Sequence, residues 1–389
     1  MNSQRCRILL LGGYGHFGEK LSRMLINIPH TQLIISGRNL EQANAHKEKL
    51  EKERACTAGS KNKISHNLPI ETLRLDRVDE QFSANLAKIQ PDILVHCAGP
   101  FQQQDYTVAK ACIDNNIHYV DIADARKYVS QFSILDKEAK RKKLVLITGA
   151  GTTPGLSSAV VDKYALNFST LRMVEFSISS ANKIKRGQAS VDSLCLQAGK
   201  PFEHMNNGEL EVAYSWQKRH REYFGDNVGV RWQSGCDAPD LELLPLRYQK
   251  LSTVKFHSGF ELGLLHFLLW KLSWFVRSGI ASDLSKLSKP LEKLGTLLGQ
   301  FGTSVGGINI HLYGTDLEYQ PLDMHWNLIA ESGHDEYIPI LPTYLVVKKI
   351  INQELSPGAR ACVSLFTLEE FDDIADQWNI YHTLSERHM

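Results

Sequence analysis

The stretch Gly12-Gly13-Tyr14-Gly15-His16-Phe17-Gly18 decides the fold, because it lies between an apolar run at residues 6–11 and an amphipathic helical pattern. A G-x-G-x-x-G run between a strand and a helix is typical of dinucleotide sites, where the helix N-terminus faces the pyrophosphate. Gly13 permits the tight turn, Gly15 lets backbone amides approach the ligand, and Gly18 lets the helix pack against the sheet. A ligand-free glycine-rich turn is the alternative. We predict that residues 13–18 bind a dinucleotide.

The first 150 residues alternate between strand-length apolar runs and helical stretches. The runs occupy residues 6–11, 32–36, 72–75, 92–98, 119–122 and 144–148. Helical spacing covers 17–28 and 132–139, and a charged helix from Glu41 to about Arg54 leads into a solvent-exposed insertion. Alternating strands and helices indicate βαβ units, and nearly all-apolar strands indicate burial on both faces. The sequence predicts an α/β domain with a doubly wound parallel sheet.

The pattern changes after Gly151. Thr152-Thr153-Pro154-Gly155-Leu156 is typical of a capped helix start with proline in the first turn. Strand-like runs at 174–179, 254–256 and 308–313 are then separated by long polar segments. This spacing predicts a second, α+β domain with antiparallel, more exposed strands, beginning near residue 152.

The end of the second strand indicates which dinucleotide binds. NAD-binding folds usually place a carboxylate there to hold the ribose 2′-hydroxyl, whereas this chain has Ser36-Gly37-Arg38-Asn39. The planar guanidinium of Arg38 suits a 2′-phosphate, and the Ser36 hydroxyl would add a donor. A solvated surface arginine is the alternative. We predict NADP as the cofactor.

Two further segments follow strands of the same predicted sheet. Asp76 follows the third strand, and Ala98-Gly99-Pro100-Phe101 follows the fourth. Because ligands of open α/β sheets lie outside the carboxyl ends of the strands, Asp76 would contact adenine and the Gly99-Pro100 turn would run beneath the ribose or nicotinamide. Ordinary turn chemistry explains either segment equally well.

Proton transfer accompanies hydride transfer, so the strand ends also supply the catalytic candidates. Asp121 ends the fifth strand, Asp124 follows it, and His96 ends the fourth. The alternatives are a loop cap for Asp121 and a satisfied core histidine for His96. Cys97 is better explained as a small buried residue than as a nucleophile.

Composition excludes several classes of protein. The 389 residues include 44 Lys+Arg and 43 Asp+Glu, and the resulting net charge of +1 argues against a nucleic-acid binder. The seven cysteines are scattered and never form C-x-x-C, which favours reduced thiols in the cytoplasm. The N-terminus resembles no export signal. No metal-ligand spacing is present, and Ser157 lies outside a G-x-S-x-G elbow, so we predict no metal and no serine nucleophile.

Residues 261–301 are unusually apolar. Over 261–277, the polar side chains of His266, Ser273 and Arg277 fall with Gly263 on one narrow helical stripe. The segment is too short and interrupted to span a bilayer, which needs about 20 apolar residues. Three interpretations remain open: a helix buried between domains or in a homodimer, a lining for an apolar substrate, or a helix in a membrane interface.

Taken together, the motifs resemble those of the saccharopine dehydrogenase-like oxidoreductases, specifically their NADP-binding domain. The resemblance rests on residues 12–18, Ser36-Gly37-Arg38, residues 97–101, Tyr119-Val120-Asp121-Ile122 and residues 149–156. Residues 338–342 and 358–362 are similar to segments of a bacterial branch of that family. The resemblance implies a Rossmann domain of residues 1–152 plus a C-terminal return at about 356–389, and an α+β substrate or dimerisation domain at 153–355.

These observations predict a two-domain NADP(H)-dependent oxidoreductase. It would transfer hydride to or from a carbonyl or imine group of a small or moderately apolar substrate. We expect a cytoplasmic homodimer, with peripheral contact to the inner membrane through 261–301 as a further alternative. The rival functions are a non-catalytic NADP-binding sensor or scaffold and a membrane-associated lipid reductase.

Overall fold

The computed structural model describes residues 5–58, 68–183 and 186–388. Its strands are β1 (Cys6–Leu11), β2 (Thr31–Gly37), β3 (Glu71–Arg74), β4 (Ile93–His96), β5 (His118–Asp121), β6 (Val145–Thr148), β7 (Phe168–Ser180), β8 (Pro201–Asn206), β9 (Glu209–Tyr214), β10 (Gln217–Tyr223), β11 (Val230–Gly235), β12 (Thr253–Phe260), β13 (Gly306–Asp316), β14 (Pro321–Ala330), β15 (Gly358–Ala361) and β16 (Ile380–His388). Its α-helices are α1 (His16–Leu25), α2 (Leu40–Ala58), α3 (Phe82–Ile89), α4 (Thr107–Asp114), α5 (Arg126–Ser130), α6 (Asp136–Arg141), α7 (Ser157–Tyr164), α8 (Gln188–Gln197), α9 (Asp240–Arg247), α10 (Gly263–Arg277), α11 (Ser288–Leu298), α12 (Leu341–Ile351) and α13 (Leu368–Ala375). Short 3-10 turns lie at Phe132–Leu135, Ala165–Asn167, Ser285–Leu287, Gly299–Phe301, His334–Glu336 and Asp376–Trp378.

The first sheet has the order β15-β6-β5-β4-β1-β2-β3, and all of its strand pairs are parallel. Its central strands are apolar on both faces, and Ile8, Leu9 and Leu10 are fully buried. Separate clusters of apolar side chains cover the two faces. The predicted Rossmann-type doubly wound sheet is therefore confirmed, with strand ends displaced by one or two residues because buried runs do not mark where hydrogen bonding stops.

The charged helix predicted from Glu41 to about Arg54 is α2, and it extends to Ala58. The solvent-exposed insertion predicted after it falls largely on residues 59–67, which lie outside the described residues. The structure therefore supports the helix without testing the insertion.

The second sheet has the order β10-β11-β12-β7-β13-β14-β16. Most of its pairs are antiparallel as predicted, but β12 pairs with β7 in parallel. The parallel pair arises because α8, the β8–β9 hairpin and three further elements lie between the two strands and return the chain in the same direction. The second domain is thus mixed rather than purely antiparallel.

The helix predicted to start at Thr152 starts later. Residues Thr152–Leu156 form an irregular turn in which Thr153 is extended, and α7 begins at Ser157. The residue before a proline is disfavoured in the helical region, so Thr153 cannot begin the helix that Pro154 suggested.

Residues 356–389 divide between the two sheets instead of returning together to the first. Strand β15 pairs with β6, whereas β16 pairs with β14 along its whole length. Helix α13 lies between these strands in the chain and contacts both α12 and β16, so it carries the chain from one sheet to the other. The second sheet therefore gains its last strand from the C-terminus.

One core joins the two sheets. Along β13, Ile308, Ile310 and Leu312 are buried while His311 and Tyr313 lie partly exposed, the alternation of a sheet with one covered face. These inward side chains belong to the same apolar cluster as one face of the first sheet. The shared core places the carboxyl ends of the first sheet opposite the second domain.

Candidate functional site

The loop after β1 has the shape that a dinucleotide requires. Gly12 has φ +84°, and its amide and that of Gly13 donate to the Ser36 carbonyl at 2.9 and 3.0 Å. A Cβ at Gly18 would lie 2.2 Å from the Gly12 carbonyl oxygen, and a Cβ at Gly13 would lie 2.9 Å from an Ile35 methyl group. Only glycine permits this approach of α1 to the strand, so the loop fits a bound diphosphate.

The two residues of the predicted 2′-phosphate site differ in their exposure to solvent. Arg38 is exposed directly after β2, where its guanidinium is accessible to a ligand. Ser36 is fully buried, and its hydroxyl donates to the Leu10 carbonyl at 3.1 Å. The predicted donor role of Ser36 is therefore corrected, because a strand residue pointing into the sheet uses its hydroxyl there.

Tyr14 closes the loop on this side. Its hydroxyl accepts a hydrogen bond from the Asn39 amide at 2.8 Å, and its ring occupies the space that a side chain at Gly37 would need. Gly37 therefore lets the loop pack against the end of β2.

Asp76 lies in a turn after β3. Its Oδ1 accepts from the Val78 amide at 3.3 Å, and its carbonyl accepts from the Asp79 amide at 3.2 Å. These bonds match the turn chemistry that the sequence left open as the alternative to an adenine contact.

The side chain of Gln104 stabilises the turn after β4. Gln104 Nε2 donates to the carbonyls of Ala98 and Pro100 at 2.9 and 2.8 Å. The Ala98 amide nitrogen lies 3.0 Å from where a Cβ of Gly12 would be, so the turn packs on the glycine loop. Gly99, Pro100 and Phe101 line a large cleft.

This cleft lies between the two domains, at the carboxyl ends of the first sheet, and has a volume of about 300 Å³. The first domain contributes Phe17, Cys97, residues 99–101, Ile122, Asp124 and residues 151–152, among others. The polar groups from the rest of the chain include Ser179, Arg186, Ser190, Ser193, Gln197, Asp237, Ser258 and Asp335. An interdomain cleft beside a dinucleotide loop is the expected position of a substrate.

Asp124 is the predicted catalytic residue that faces this cleft. Its Oδ1 accepts from Gln102 Nε2 at 3.1 Å, and its Oδ2 accepts from the Ser193 hydroxyl at 3.2 Å. The surrounding cleft walls raise the pKa of Asp124, an effect that the two hydrogen bonds oppose. Its carboxyl group can therefore hold a proton closer to neutral pH than an ordinary aspartate.

Asp121 does not line the cleft and is fully buried behind it. Its Oδ1 accepts from the Ala123 and Gly149 amides at 2.9 and 2.8 Å and from the Thr148 hydroxyl at 2.9 Å. Burial raises the pKa of Asp121 to about 6. These contacts tie the ends of β5 and β6 together, which is the loop-capping alternative to its catalytic role.

His96 is also fully buried, within a cluster of aromatic rings. Its Nδ1 lies 3.1 Å from the Tyr119 hydroxyl, and its ring packs edge-on against Phe101 with centroids 4.9 Å apart. Burial lowers the pKa of His96 to about 3, so the ring is neutral. His96 is not among the residues lining the cleft. Its burial is that of a core histidine, but its Nε2 has no hydrogen-bond partner among the described residues, so the ring is only partly satisfied. Burial likewise raises the pKa of Cys97 and keeps its thiol protonated.

His16 and Phe17 lie where the second domain meets the loop. Phe17 lines the cleft, and His16 Nε2 lies 3.1 Å from Glu336 Oε1. Gly187 makes this contact fit, because a Cβ there would lie 2.6 Å from His16 Cβ. Burial, followed by nearby Lys20, lowers the pKa of His16 to about 4, so this ring is neutral as well.

Sequence reasoning missed the charged groups that the second domain brings to the cleft. Arg186 lies over the Phe260 ring, with Cζ 4.4 Å from its centroid, and one guanidinium nitrogen has no hydrogen-bond partner among the described residues. Burial lowers the pKa of Arg186 to about 10 and raises that of Asp335 to about 6. Neither residue belongs to a local motif, so nothing in the sequence distinguished it.

A separate polar cluster lies on the second sheet. His311 Nε2 and His325 Nε2 lie 2.6 and 3.4 Å from Asp323 Oδ1, and the two rings stack 4.1 Å apart. The ligating atoms lie within 4.8 Å of one another, a spacing that a metal ion could bridge. None of the three residues lines the cleft.

Comparison with known proteins addresses the first domain directly. Residues 8–147 match the family described as saccharopine dehydrogenase NADP binding domain. The chain contains a saccharopine dehydrogenase NADP-binding domain. The match covers the glycine loop, the Arg38 segment and the strand ends that carry Asp76, Asp121 and Asp124. No curated protein sequence matches the chain.

Solved structures extend the likeness to the whole architecture. Apo saccharopine dehydrogenase (L-Glu forming) from Saccharomyces cerevisiae is 12% identical, with a TM-score of 0.65 over 99% of this chain and 100% of its own. Homospermidine synthase from Legionella pneumophila in complex with NAD is 9% identical, with a TM-score of 0.59 over 100% of this chain and 93% of its own. At these identities the likeness concerns the fold, in which the NADP-binding domain is followed by a mixed-sheet domain.

Proposed function

We propose that the chain is an NADP(H)-dependent oxidoreductase that acts on a carbonyl or imine group of a small or moderately apolar substrate. One observation carries the proposal: the turn packed on the glycine loop and the carboxyl group of Asp124 line the same interdomain cleft. A cofactor-binding loop and a group that can transfer a proton, the two requirements of hydride-transfer chemistry, are thus available at the same edge of the sheet.

The NADP-binding domain would hold the cofactor through the glycine loop, Arg38 and the turn after β4. The backbone amides of Tyr14 and of residues 16–18 at the start of α1 would face the diphosphate, because those of Gly13 and Gly15 already donate to Ser36 and Gly12. The exposed Arg38 would pair with the 2′-phosphate. Residues 99–101 would line the pocket on the nicotinamide side. Ser36 is excluded from this set by its bond to Leu10.

The cofactor, when bound, supplies or accepts the hydride at the substrate carbon. In the reducing direction the Asp124 carboxyl gives its proton to the substrate oxygen or nitrogen, and the products are the alcohol or amine and the oxidised coenzyme. Gln102 and Ser193 hold the Asp124 carboxyl in place from two different segments. Asp121 is a positioning residue in this scheme, because it fixes the turn at Gly149 without facing the cleft.

The test is a panel of aldehydes, ketones and imines assayed for NADPH oxidation with wild type and Asp124→Asn. We expect this substitution to lower kcat by about 10²–10⁴-fold and to leave NADPH affinity unchanged. Asp114→Asn, at an exposed position of α4, is the matched control and should keep full activity. NADPH binding without turnover on any substrate would instead favour the sensor or scaffold.

The apolar segment 261–301 supports a second candidate property. It forms α10 and α11, and exposed apolar side chains on or near these helices are Leu264, Trp274, Phe275, Ile280, Leu287, Leu297 and Phe301. Exposed Lys286, Lys289 and Lys293 lie among them. Aromatic side chains beside lysines suit an anionic bilayer surface, so we propose peripheral membrane contact here. No α-helix within the described ranges is long and apolar enough to cross a bilayer.

Vesicle flotation and light scattering separate this contact from a homodimer that buries the same face. Flotation with anionic vesicles that is lost in Trp274→Glu/Phe275→Glu supports the membrane contact. A wild-type dimer that the same substitutions convert into a monomer, with no flotation, supports the homodimer. A wild-type monomer that does not float contradicts both.

A further inference from the structure

A second cavity adjoins the interdomain cleft. It lies between α8, α10 and α11 and has a volume of about 70 Å³, room for roughly five water-sized groups. Its apolar lining consists of Val191, Leu194, Cys195, Phe260, Leu265, Leu268, Leu269 and Leu291. A cavity with such walls favours aliphatic groups over water.

Two residues, Arg186 and Leu194, line both the cleft and this cavity, so the two spaces meet there. Arg186 contacts the Phe260 ring, and one buried guanidinium nitrogen has no hydrogen-bond partner in the part of the chain that the structure describes. A buried donor of this kind carries a large cost unless a ligand satisfies it. A ligand with an anionic oxygen and an aliphatic chain would suit this site. The oxygen would accept a hydrogen bond from Arg186, and the chain would occupy the apolar cavity.

We infer that the substrate is an amphiphile, a medium-chain carboxylate or acyl compound whose anionic group pairs with Arg186 and whose alkyl chain enters the leucine-lined cavity. This inference rests on the proposed oxidoreductase function, since it names the substrate class of the same cleft. The reacting carbonyl or imine would then lie on the cleft side of Arg186, where Asp124 is available. Asp335 and Asp237 also line the cleft. Asp335 acts electrostatically on Arg186 and opposes the lowering of its pKa, so the substrate anion would share the guanidinium with this carboxyl group and a second anionic group would be disfavoured.

One substitution places a larger side chain at the cavity wall without strain. Gly295 lines the cavity, and a Cβ added there would meet no atom within 4 Å. Gly295→Leu therefore places an alkyl side chain at the cavity wall and also removes a helix-interior glycine from α11. Lys271→Leu introduces the same side chain at an exposed position of α10, which also lines the cavity, and is the matched control.

The test measures binding of octanoate, butanoate and octanol to the full chain by calorimetry, with NADPH affinity measured on every variant. We expect wild type to bind octanoate at least about tenfold more tightly than butanoate, since each buried methylene strengthens binding severalfold. Gly295→Leu should remove this difference and Lys271→Leu should keep it. Arg186→Gln should bind octanoate no better than octanol.

Equal affinity for octanoate and butanoate, or an unchanged preference in Gly295→Leu, would overturn the inference. So would an Arg186→Gln variant that loses NADPH affinity but keeps octanoate affinity, because Arg186 would then serve the cofactor. NADPH binding without octanoate binding contradicts this inference alone. Octanoate binding without NADPH binding keeps the amphiphile site and contradicts the proposed function.

Discussion

The carboxylate of Glu336 lies 2.8 Å from the ammonium of Lys20, on the helix that begins at the dinucleotide loop. Both side chains are largely buried, with 17% and 12% of their surfaces exposed. The pair joins the segment after β14 to the NADP-binding domain and thereby fixes the second domain against the cofactor loop.

Replacing Glu336 with Gln should destabilise the fold. The substitution keeps the size of the side chain but leaves the Lys20 ammonium partly buried without a counter-charge, which costs about 1–3 kcal/mol in the free energy of unfolding. Glu51→Gln is the control, because its partner Lys47 lies 3.9 Å away on the surface of α2. Urea unfolding of both variants measures the difference; equal effects would contradict a structural role for the Glu336 pair.

Gly18→Ala should prevent the loop from closing on the cofactor. The new methyl group would lie 2.2 Å from the Gly12 carbonyl oxygen and 2.8 Å from Gly13 Cα, both backbone atoms that cannot rotate away. Overpacking of this kind costs about 1–3 kcal/mol, equivalent to roughly tenfold or more in NADPH affinity.

The control for this prediction is Gly235→Ala in β11 of the second sheet, whose Cβ would lie 3.7 Å from the Phe202 ring. That distance is an ordinary van der Waals contact away from the glycine loop, so NADPH titrations of this variant should match wild type. A Gly18→Ala protein that binds NADPH as tightly as wild type would show that the loop is not the diphosphate site.

The first domain was predictable because its signals are local. Each strand buried on both faces is a continuous apolar run, and the glycine loop stands directly between such a run and a helix. What local patterns cannot give is the direction in which a side chain points. Ser36 and His96 stand at strand ends, as cofactor or catalytic residues do, yet both point into the protein. There the Ser36 hydroxyl bonds to the Leu10 carbonyl and His96 Nδ1 lies within hydrogen-bond distance of the Tyr119 hydroxyl.

The candidate site itself depends on contacts between distant segments. Ser193 forms hydrogen bonds with Asp124, 69 residues away in the sequence, and with Gln102, 91 residues away. Arg186 and Asp335 come from segments that no motif marks, and only the packing of the second sheet on the first brings them to the cleft. Periodicity and spacing in a single sequence do not predict which distant residues will come into contact.

Arg38→Ala should change which dinucleotide is preferred. If the exposed guanidinium pairs with the 2′-phosphate, its loss should weaken NADPH binding by roughly 10–100-fold and leave NADH binding unchanged, as expected for a charge-assisted hydrogen bond. Arg141→Ala, on the exposed surface of α6, is the control for loss of positive charge. Fluorescence titration with both coenzymes gives the ratio, and an unchanged ratio would remove Arg38 from the site.

Asp121→Asn should alter how stability depends on pH. Burial raises the pKa of Asp121 to about 6 from the ordinary 3.8, so the folded protein holds this proton more tightly than the unfolded chain. The resulting stabilisation is complete below about pH 3.8 and is lost as pH rises through about 6, because the carboxylate must then be buried as a charge. The amide side chain of the variant has no such proton and keeps an oxygen for Thr148 and the Gly149 amide.

The stability of wild type relative to Asp121→Asn should therefore fall between pH 4 and pH 7. Urea unfolding of the two proteins across this range gives the difference, in which the titration of all other groups cancels. Asp114→Asn, at an exposed position of α4, is the control for replacing an aspartate with asparagine. A difference that stays constant, or that grows with pH, would mean that Asp121 is not held in a low-dielectric site behind the cleft.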